Sequence, residues 1–438
     1  MCEFVEKYLY EVVDIRVSNV DKKIYPDKSI VKLCNYMDAY SNDYISSKIS
    51  FSFGSADINE IQKFGLNVDD VVITKDSETP EDIAVSSVVI EDLKDVVCGY
   101  HLAILRPNRD LLDGKYLMFK LKSEELKRYF LSAAKGSTRF GLTIGDIENA
   151  KIKFPSLSAQ QQIAKILSTA DAVIEKTQAA IAKYKAIKQG LLQDLFTRGI
   201  DLNTNKLRPR YQDAPELYKE SKLGMIPREW NEKIFGEEVD LIHGHQFRDY
   251  DFTEFGIPVV KIGQVKPENV DLSSCSFVAY GREDEFQNEI IRNGDVLMAL
   301  TGATLGKACL VKGLNRIVLQ NYRVGRFEPI IKQNDIDKEF LYYLLIAGEL
   351  LTQIFNKVNT GAQGNIGKAD FEKAAFKKPP FNEQQKIAER LKAIDKKLQT
   401  EQTYLQKMQS LKKGLMEDLL SGKKQVKVSV ELVTQNEN

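Results

Sequence analysis

One helical sequence occurs twice in this chain. From Pro155 to Thr197 and from Pro379 to Ser421 the residues align without a gap, 224 positions apart. Like falls on like: Gln160-Gln161-Gln162-Ile163-Ala164 on Gln384-Gln385-Lys386-Ile387-Ala388, and Lys188-Gln189-Gly190-Leu191-Leu192-Gln193-Asp194-Leu195 on Lys412-Lys413-Gly414-Leu415-Met416-Glu417-Asp418-Leu419. A long repeat spaced by most of a domain implies two globular units, each followed by a copy of the same spacer.

Each copy has the period of a coiled coil. Alternate steps of four and three from Ile163 reach Leu167, Ala170, Ile174, Thr177, Ile181, Tyr184, Lys188, Leu191 and Leu195. The second copy gives Ile387, Leu391, Ile394, Leu398, Glu401, Leu405, Met408, Lys412, Leu415 and Leu419. Polar residues interrupt both seams at the same steps, Thr177 with Glu401 and Lys188 with Lys412, as shared register marks would. Pro155 and Pro379 precede the helices, where a missing N–H costs nothing. At about 1.5 Å per residue, each helix makes a rod roughly 57 Å long. Two rods packed side by side would space two heads.

The heads repeat too. At the same offset Tyr116-Leu117-Met118-Phe119 matches Phe340-Leu341-Tyr342-Tyr343, and Asp146-Ile147 matches Asp370-Phe371. Glycine-rich turns precede both helices, at Gly136-Ser137-Thr138-Arg139-Phe140-Gly141 and Thr360-Gly361-Ala362-Gln363-Gly364-Asn365. Upstream the offset drifts by a residue or two, as loop insertions cause: Asp70-Val71-Val72-Ile73 resembles Asp295-Val296-Leu297-Met298, and Gly99-Tyr100 resembles Asn321-Tyr322. Short β-rich runs such as Val71–Thr74, Val88–Ile90, Pro258–Ile262 and Val296–Met298 lie between Gly, Asp and Asn turns. They predict an α+β fold whose heads hold twisted, mostly antiparallel sheets with a few helices. The polar stretch from Gly199 to about Leu223 lacks heptad spacing and reads as a connector over the surface. The tail after Ser421 reads as one short strand or as disorder.

With 62 Lys+Arg against 62 Asp+Glu the chain has no global basic signature of nucleic-acid binding. Any DNA contact must be a local patch or be shared with a partner. The five cysteines are scattered, odd in number and free of C-x-x-C spacing, as reduced thiols are. No apolar run reaches the length of a membrane span, and the start lacks signal-peptide features. A cytoplasmic protein is expected, with no membrane contact.

Catalytic motifs fail on inspection. Thr301-Gly302-Ala303-Thr304-Leu305-Gly306-Lys307-Ala308 is one residue short of a phosphate loop, and Ala308 stands where Mg²⁺ requires Ser or Thr. Such a turn still suits a nucleic-acid phosphate. His243-Gly244-His245 has no third metal ligand nearby. Lys378-Pro379-Pro380-Phe381 lacks the leading Asn or Asp of the adenine-methyltransferase motif, and no glycine-rich cofactor fingerprint accompanies it. No Ser/His/Asp set or clustered nuclease carboxylates follow from spacing.

Side chains suited to reading DNA remain, placed in turns. Arg pairs with guanine, and Asn or Gln with adenine. The second head offers Gln246, Arg248, Gln264, Thr304, Lys307, Tyr322, Arg323, Gln363 and Asn365; the first offers Asn19, Lys22, Lys23, Thr74, Lys75 and Arg139. For any one of them a solvated polar loop is the simpler reading, so the sets carry the expectation.

Two diverged heads, each followed by one of two matching helices, resemble the specificity subunit of type I restriction–modification systems. The resemblance rests on Pro155-Ser156-Leu157-Ser158-Ala159-Gln160-Gln161 and Pro379-Pro380-Phe381-Asn382-Glu383-Gln384-Gln385, on the Gly190 and Gly414 helix ends, and on Lys222-Leu223-Gly224-Met225-Ile226-Pro227-Arg228-Glu229-Trp230 leading into the second head. It covers nearly the whole chain. The first head departs from it, with no Ile-Pro-x-x-Trp segment to mark its opening strand.

The resemblance implies two target recognition domains (1–153 and 223–378), two conserved spacer helices (154–199 and 379–421), a linker (200–222) and a tail (422–438). Each domain would read half of a bipartite site in double-stranded DNA. The helices would be antiparallel in pseudo-two-fold order and dock two methyltransferase subunits, and a restriction/translocase subunit could join. The helix–helix and partner interface would use Ile163, Leu167, Ile174, Ile181, Leu191, Leu195, Ile387, Leu391, Leu398, Leu405, Leu415 and Leu419. This chain would be non-catalytic and hold no metal, with S-adenosylmethionine, ATP and Mg²⁺ used by its partners. Two rivals are a coiled-coil scaffold that binds no DNA and a fused single-chain methyltransferase. The first would not need heads diverged in their loops, and the second would need the missing motifs.

Overall fold

The computed structural model describes residues 4–331, 333–356 and 364–427. The chain divides into two compact units, Met1–Ala179 with Thr403–Asn438, and Ala180–Gln402. The repeated sequence forms two helices, α1 over Leu157–Thr197 and α2 over Phe381–Leu420. Each stops just short of a glycine in the left-handed region, Gly199 (φ 61) and Gly422 (φ 78), where a side chain would be strained. No helix among the described residues is long and apolar enough to cross a membrane.

Unit 1 holds the first half of α1 and the last part of α2. Lys412 of α2 is ion-paired with Asp171 of α1, and further along, Ile163 and Leu167 share a core with Leu415 and Leu419. Rising numbers on one helix meet falling numbers on the other, so the segments are antiparallel. Unit 2 repeats this with Lys188 of α1 2.6 Å from Asp395 of α2, and Leu195 in one core with Ile387 and Leu391. The lysine step of the two seams is thus a pair of matching ion pairs, while Thr177 at the other polar step turns its hydroxyl to the Val173 carbonyl of its own helix at 2.8 Å. A tyrosine hydroxyl also donates to each aspartate at 2.8 Å, Tyr44 to Asp171 and Tyr343 to Asp395. Burial first, and the neighbouring carboxylate second, push both phenols up. The hydroxyl comes from different places because Phe119 fills the position equivalent to Tyr343.

In unit 1 a five-stranded sheet runs Val13–Val17, Leu102–Pro107, Val71–Thr74, Ser86–Val89, Tyr44–Ile45, antiparallel except for its last pair. A second sheet places Ser29–Cys34 between antiparallel Ser52–Ala56 and parallel Val96–Cys98. In unit 2 the matching sheets are Val239–His243, Val324–Pro329, Val296–Ala299, Ala308–Leu310, and Phe252–Thr253, Ser276–Val278, Ile257–Val260, Leu319–Gln320. Again one strand, Ile257–Val260, pairs antiparallel on one side and parallel on the other. The expected α+β heads with mostly antiparallel sheets are present. The opening strand of the first head is Val5–Tyr8, paired with Lys151–Phe154, as Asn231–Ile234 pairs with Ala375–Lys378 in the second.

Head and helix are joined alike in both units. The Gln160 side chain, fully buried, accepts from Asp113 N–H at 3.0 Å and donates to the carbonyls of Leu111 and Pro155, both at 2.9 Å. Gln384 accepts from Asp337 N–H at 3.0 Å and donates to the carbonyls of Asp335 (2.9 Å) and Pro379 (3.0 Å). Buried amides need such partners.

The seam residues pack helix against helix, as expected, and also against the heads. Ile163, Leu167 and Leu419 are buried in the unit 1 core beside Tyr116 and Phe119, and Leu195, Ile387 and Leu391 in the unit 2 core beside Trp230 and Phe340. They are spent inside the chain. Ile181 and Leu398 are buried, while Ile174, Leu191, Leu405 and Leu415 are half-buried. The connector runs over the surface as expected, most of its residues exposed, but it is structured and anchored. It forms hairpins Ile200–Asp201/Lys206–Leu207 and Tyr218–Ser221/Gly224–Pro227, and its Arg208 is buried in a bidentate pair with Glu383 at 2.6 and 3.0 Å. Glu383 also accepts the Ile200 N–H at 2.8 Å. Polar composition alone hides this, because a buried charge is recognised only through its partner. Of the tail, residues up to 427 are described, with the Lys424 N–H bonded to the Asp418 carbonyl.

Candidate nucleic-acid interface

In unit 2, main-chain bonds gather four loops. The strand Val239–His243 runs into a loop anchored by Phe247, whose ring lies 5.0 Å from Phe286 and 4.8 Å from His245. With Phe247 and Asp251 turned inward, Gln246, Arg248, Asp249 and Tyr250 are exposed. Tyr322 N–H donates to His245 O (2.9 Å), Leu300 N–H to Arg323 O (3.0 Å) and Ile366 N–H to Leu300 O (3.0 Å). Thr301 bridges Asn365. Gln246, Arg248, Lys307, Tyr322, Arg323 and Asn365 thus lie on loops tied to one another, and all but half-buried Tyr322 are exposed. Arg323 lies over the Tyr322 ring and donates to its hydroxyl at 2.6 Å, which leaves the rest of its guanidinium fork to face outward. Arg248 donates to Gln246 at 3.3 Å. The loop is closed by Asp251, whose carboxylate accepts the Arg248 N–H at 2.8 Å. That bond, then Arg282, holds the Asp251 carboxyl below its usual range.

Unit 1 repeats the ladder: Lys75 N–H donates to His101 O and Leu142 N–H to Lys75 O, both at 3.0 Å. Asp76–Ser77 pairs with Phe140–Gly141, Ser77 opposite Phe140, so exposed Arg139 lies just past Ser77, at the end of the pairing away from Lys75. Ser18, whose hydroxyl donates to Cys98 O at 2.5 Å, starts the loop that exposes Asn19, Lys22 and Lys23. Lys75 is partly engaged already, 2.6 Å from Asp76. Tyr100, half exposed beneath Lys75, is a candidate that residue type alone did not single out. Its signal is the match of Gly99-Tyr100 to Asn321-Tyr322.

Two candidates are corrected by burial, Thr74 and Thr304, and a third, Gln264, is engaged in its own turn. Thr74 is fully buried, its hydroxyl donating to Asp82 O (2.6 Å) and accepting from Val85 N–H (2.9 Å). Gln264 closes its own turn, accepting from Lys261 N–H (3.2 Å) and donating to Ser274 O (3.0 Å); in unit 1 Asp38 does the same for Asn35 N–H at 2.8 Å. The Thr304 hydroxyl is buried without a partner and faces no solvent. Gln363, with Thr360–Ala362, lies outside the described residues.

The tempting motifs have structural homes. Gly302–Thr304 is a short turn in a hairpin between Val296–Ala299 and Ala308–Leu310, so Lys307 opens a strand and not the helix a nucleotide loop needs. His245 packs between Phe247 and Phe286, and His243 lies 3.2 Å from Tyr322 O. Lys378 is held by Glu238 at 2.6 Å and by Asp335.

Residues 3–184 and 227–410 match the family described as the type I restriction modification DNA specificity domain. Over 422 residues the chain is 28% identical to the type I restriction enzyme MjaVIII specificity subunit of Methanocaldococcus jannaschii, covering 94% of this chain and 93% of that one. It is 21% identical over 256 residues to the EcoBI specificity subunit of Escherichia coli, covering 57% of this chain and 52% of that one. Its fold is similar to that of the S subunit of a type I restriction–modification system from M. genitalium, at a TM-score of 0.59 and 16% identity over 95% of this chain and 96% of that one. A chain from work on assembly and conformational transition of the type I R-M system gives 0.51 at 14% identity, over 96% and 98%.

Proposed function

Because the chain belongs to the type I restriction modification DNA specificity family, we propose that each unit reads one half of a bipartite site in double-stranded DNA. The reading rests on one observation above all. Both units carry the same main-chain ladder, Lys75 to His101 and Leu142 in one, Leu300 to Arg323 and Ile366 in the other, while the side chains that the ladder presents differ. A shared frame with changed reading groups suits two recognition domains for two different half-sites. The net charge of zero fits a reader whose partners share the phosphate contacts.

The chain acts as the non-catalytic specificity component of its complex. Two methyltransferase subunits dock on α1 and α2, and restriction/translocase subunits join them; S-adenosylmethionine, ATP and Mg²⁺ are used there, in the cytoplasm. Exposed Ile187 and Leu411 support two equivalent docking faces, since they occupy the same position of the repeated helix, one in each unit.

The test maps methylated positions after replacing Gln246, Arg248 and Lys307 together. One half of the motif should relax and the other stay unchanged, each lost bidentate contact being worth about 1–3 kcal/mol. Simultaneous decay of both halves would contradict independent readers.

A further inference from the structure

Among the described residues, the three most exposed large apolar side chains belong to one edge of unit 2: Tyr250 (85%), Phe255 (73%) and Tyr280 (72%). Tyr250 lies in the turn Asp249–Asp251, which leads into the strand Phe252–Thr253. That strand pairs antiparallel with Ser276–Val278, two residues before Tyr280. Phe255 is held on the same edge: its carbonyl accepts from Thr253 Oγ1 at 2.9 Å, and the following Gly256 (φ 151) runs so close to Val278 that a Cβ there would lie 2.0 Å from the Val278 oxygen. Arg282 closes the edge, 3.3 Å from Asp251. A core was available to these rings, for Phe247, Phe286, Ile257, Val259, Val278 and Leu319 pack together beneath them. Three rings held outside a finished core mark a contact surface.

The rim decides what it contacts. Asp249, Glu254, Asp284 and Glu285 are exposed in the same two segments, against Arg248 and Arg282. Arg282 is already tied to Glu285 at 2.7 Å and to Asp251. Such an acidic field repels phosphodiesters and attracts arginine and lysine, which aromatic faces also bind. Tyrosine and phenylalanine are the residues that protein interfaces concentrate.

We propose that this edge docks a partner protein that presents arginine or lysine side chains, and that it stays off the DNA. The proposal rests on the reading that the chain works inside a multi-subunit assembly. The test uses the full chain co-expressed with the methyltransferase and restriction subunits and mixed with a duplex carrying the mapped methylation motif. Photoreactive p-benzoylphenylalanine replaces Tyr250, Phe255 or Tyr280 in turn, and Lys307 as a DNA-facing control. Label from the three aromatic positions should transfer to a protein subunit, on a peptide containing Arg or Lys, while label from Lys307 transfers to the duplex. Transfer from the aromatic positions to DNA, or no transfer from them, overturns the proposal whatever Lys307 does. If Lys307 fails to label DNA while the aromatic positions label protein, the base-reading assignment falls and the docking edge stands. The surface variant Glu254→Lys/Asp284→Lys should weaken binding of the labelled subunit about tenfold or more with duplex affinity and melting unchanged; unaltered subunit binding would also overturn it.

Discussion

Replacing Arg208 by Met should destabilise unit 2 selectively. Arg208 and Glu383 are both buried, paired through two bonds of 2.6 and 3.0 Å, and Arg208 also donates to Arg198 O at 3.2 Å. The variant keeps the volume but leaves the Glu383 carboxylate with the Ile200 N–H as its one described donor. Stranding a buried charge costs about 3–5 kcal/mol. For a unit of this size, about 2–4 °C is lost per kcal/mol, so the transition should fall by about 6–20 °C. Unit 1 lacks this pair at the equivalent position, since Ala159 stands where the second helix has Glu383. Calorimetry that separates the two units should therefore show one transition move and the other stay. Arg208→Met with Glu383→Gln removes the stranded charge yet keeps an acceptor for Ile200, and should recover at least half of the loss. A loss below about 1 kcal/mol in the single variant, or no recovery in the double, would refute the argument that the connector is clamped by a buried pair.

Gln160→Leu should expose the unpaired Asp113 N–H and two carbonyls, at about 1–3 kcal/mol; hydrogen exchange at Asp113 checks it, and Gln384→Leu should act alike at Asp337. Thr74→Val should cost stability by a similar amount, because Val85 N–H loses its acceptor, and leave the methylation motif unchanged; an altered motif would restore Thr74 as a reader. Asp251 is depressed in the folded chain, so its contribution is present above the ordinary Asp value near 3.9 and is lost as pH falls through its folded value. The Asp251→Asn variant should therefore show a smaller drop in stability below about pH 4 than the parent, as urea titrations at stepped pH will reveal.

The two helices were legible because their signal is periodic and local. A buried stripe must recur every three or four residues wherever the helix lies, and Lys188 and Lys412 stood out by breaking it. Their partners, Asp395 and Asp171, were not legible, because an ion pair depends on which turns of two distant segments meet. The heads were legible as a repeat, and their strands as short β-branched runs. The reading set was legible by residue type but not by exposure. Thr74 sits one residue from Lys75, yet the strand pleat turns its hydroxyl inward. Gln264 has the chemistry of an adenine reader and spends it on its own turn. Arg208 lies in a stretch of Asn, Thr, Lys and Pro that carries every mark of a surface loop, and only Glu383, far along the chain, makes it core.

The amide joint at Gln160 and Gln384 has an evolutionary consequence. Each glutamine grips its head through main-chain N–H and C=O groups alone. A grip on backbone takes no account of which side chains the head carries. At this joint the side chains of a head can diverge without any matching change in the glutamine, whereas the Tyr44–Asp171 and Tyr343–Asp395 bonds tie other turns of the helices to particular head residues and must change in step with them.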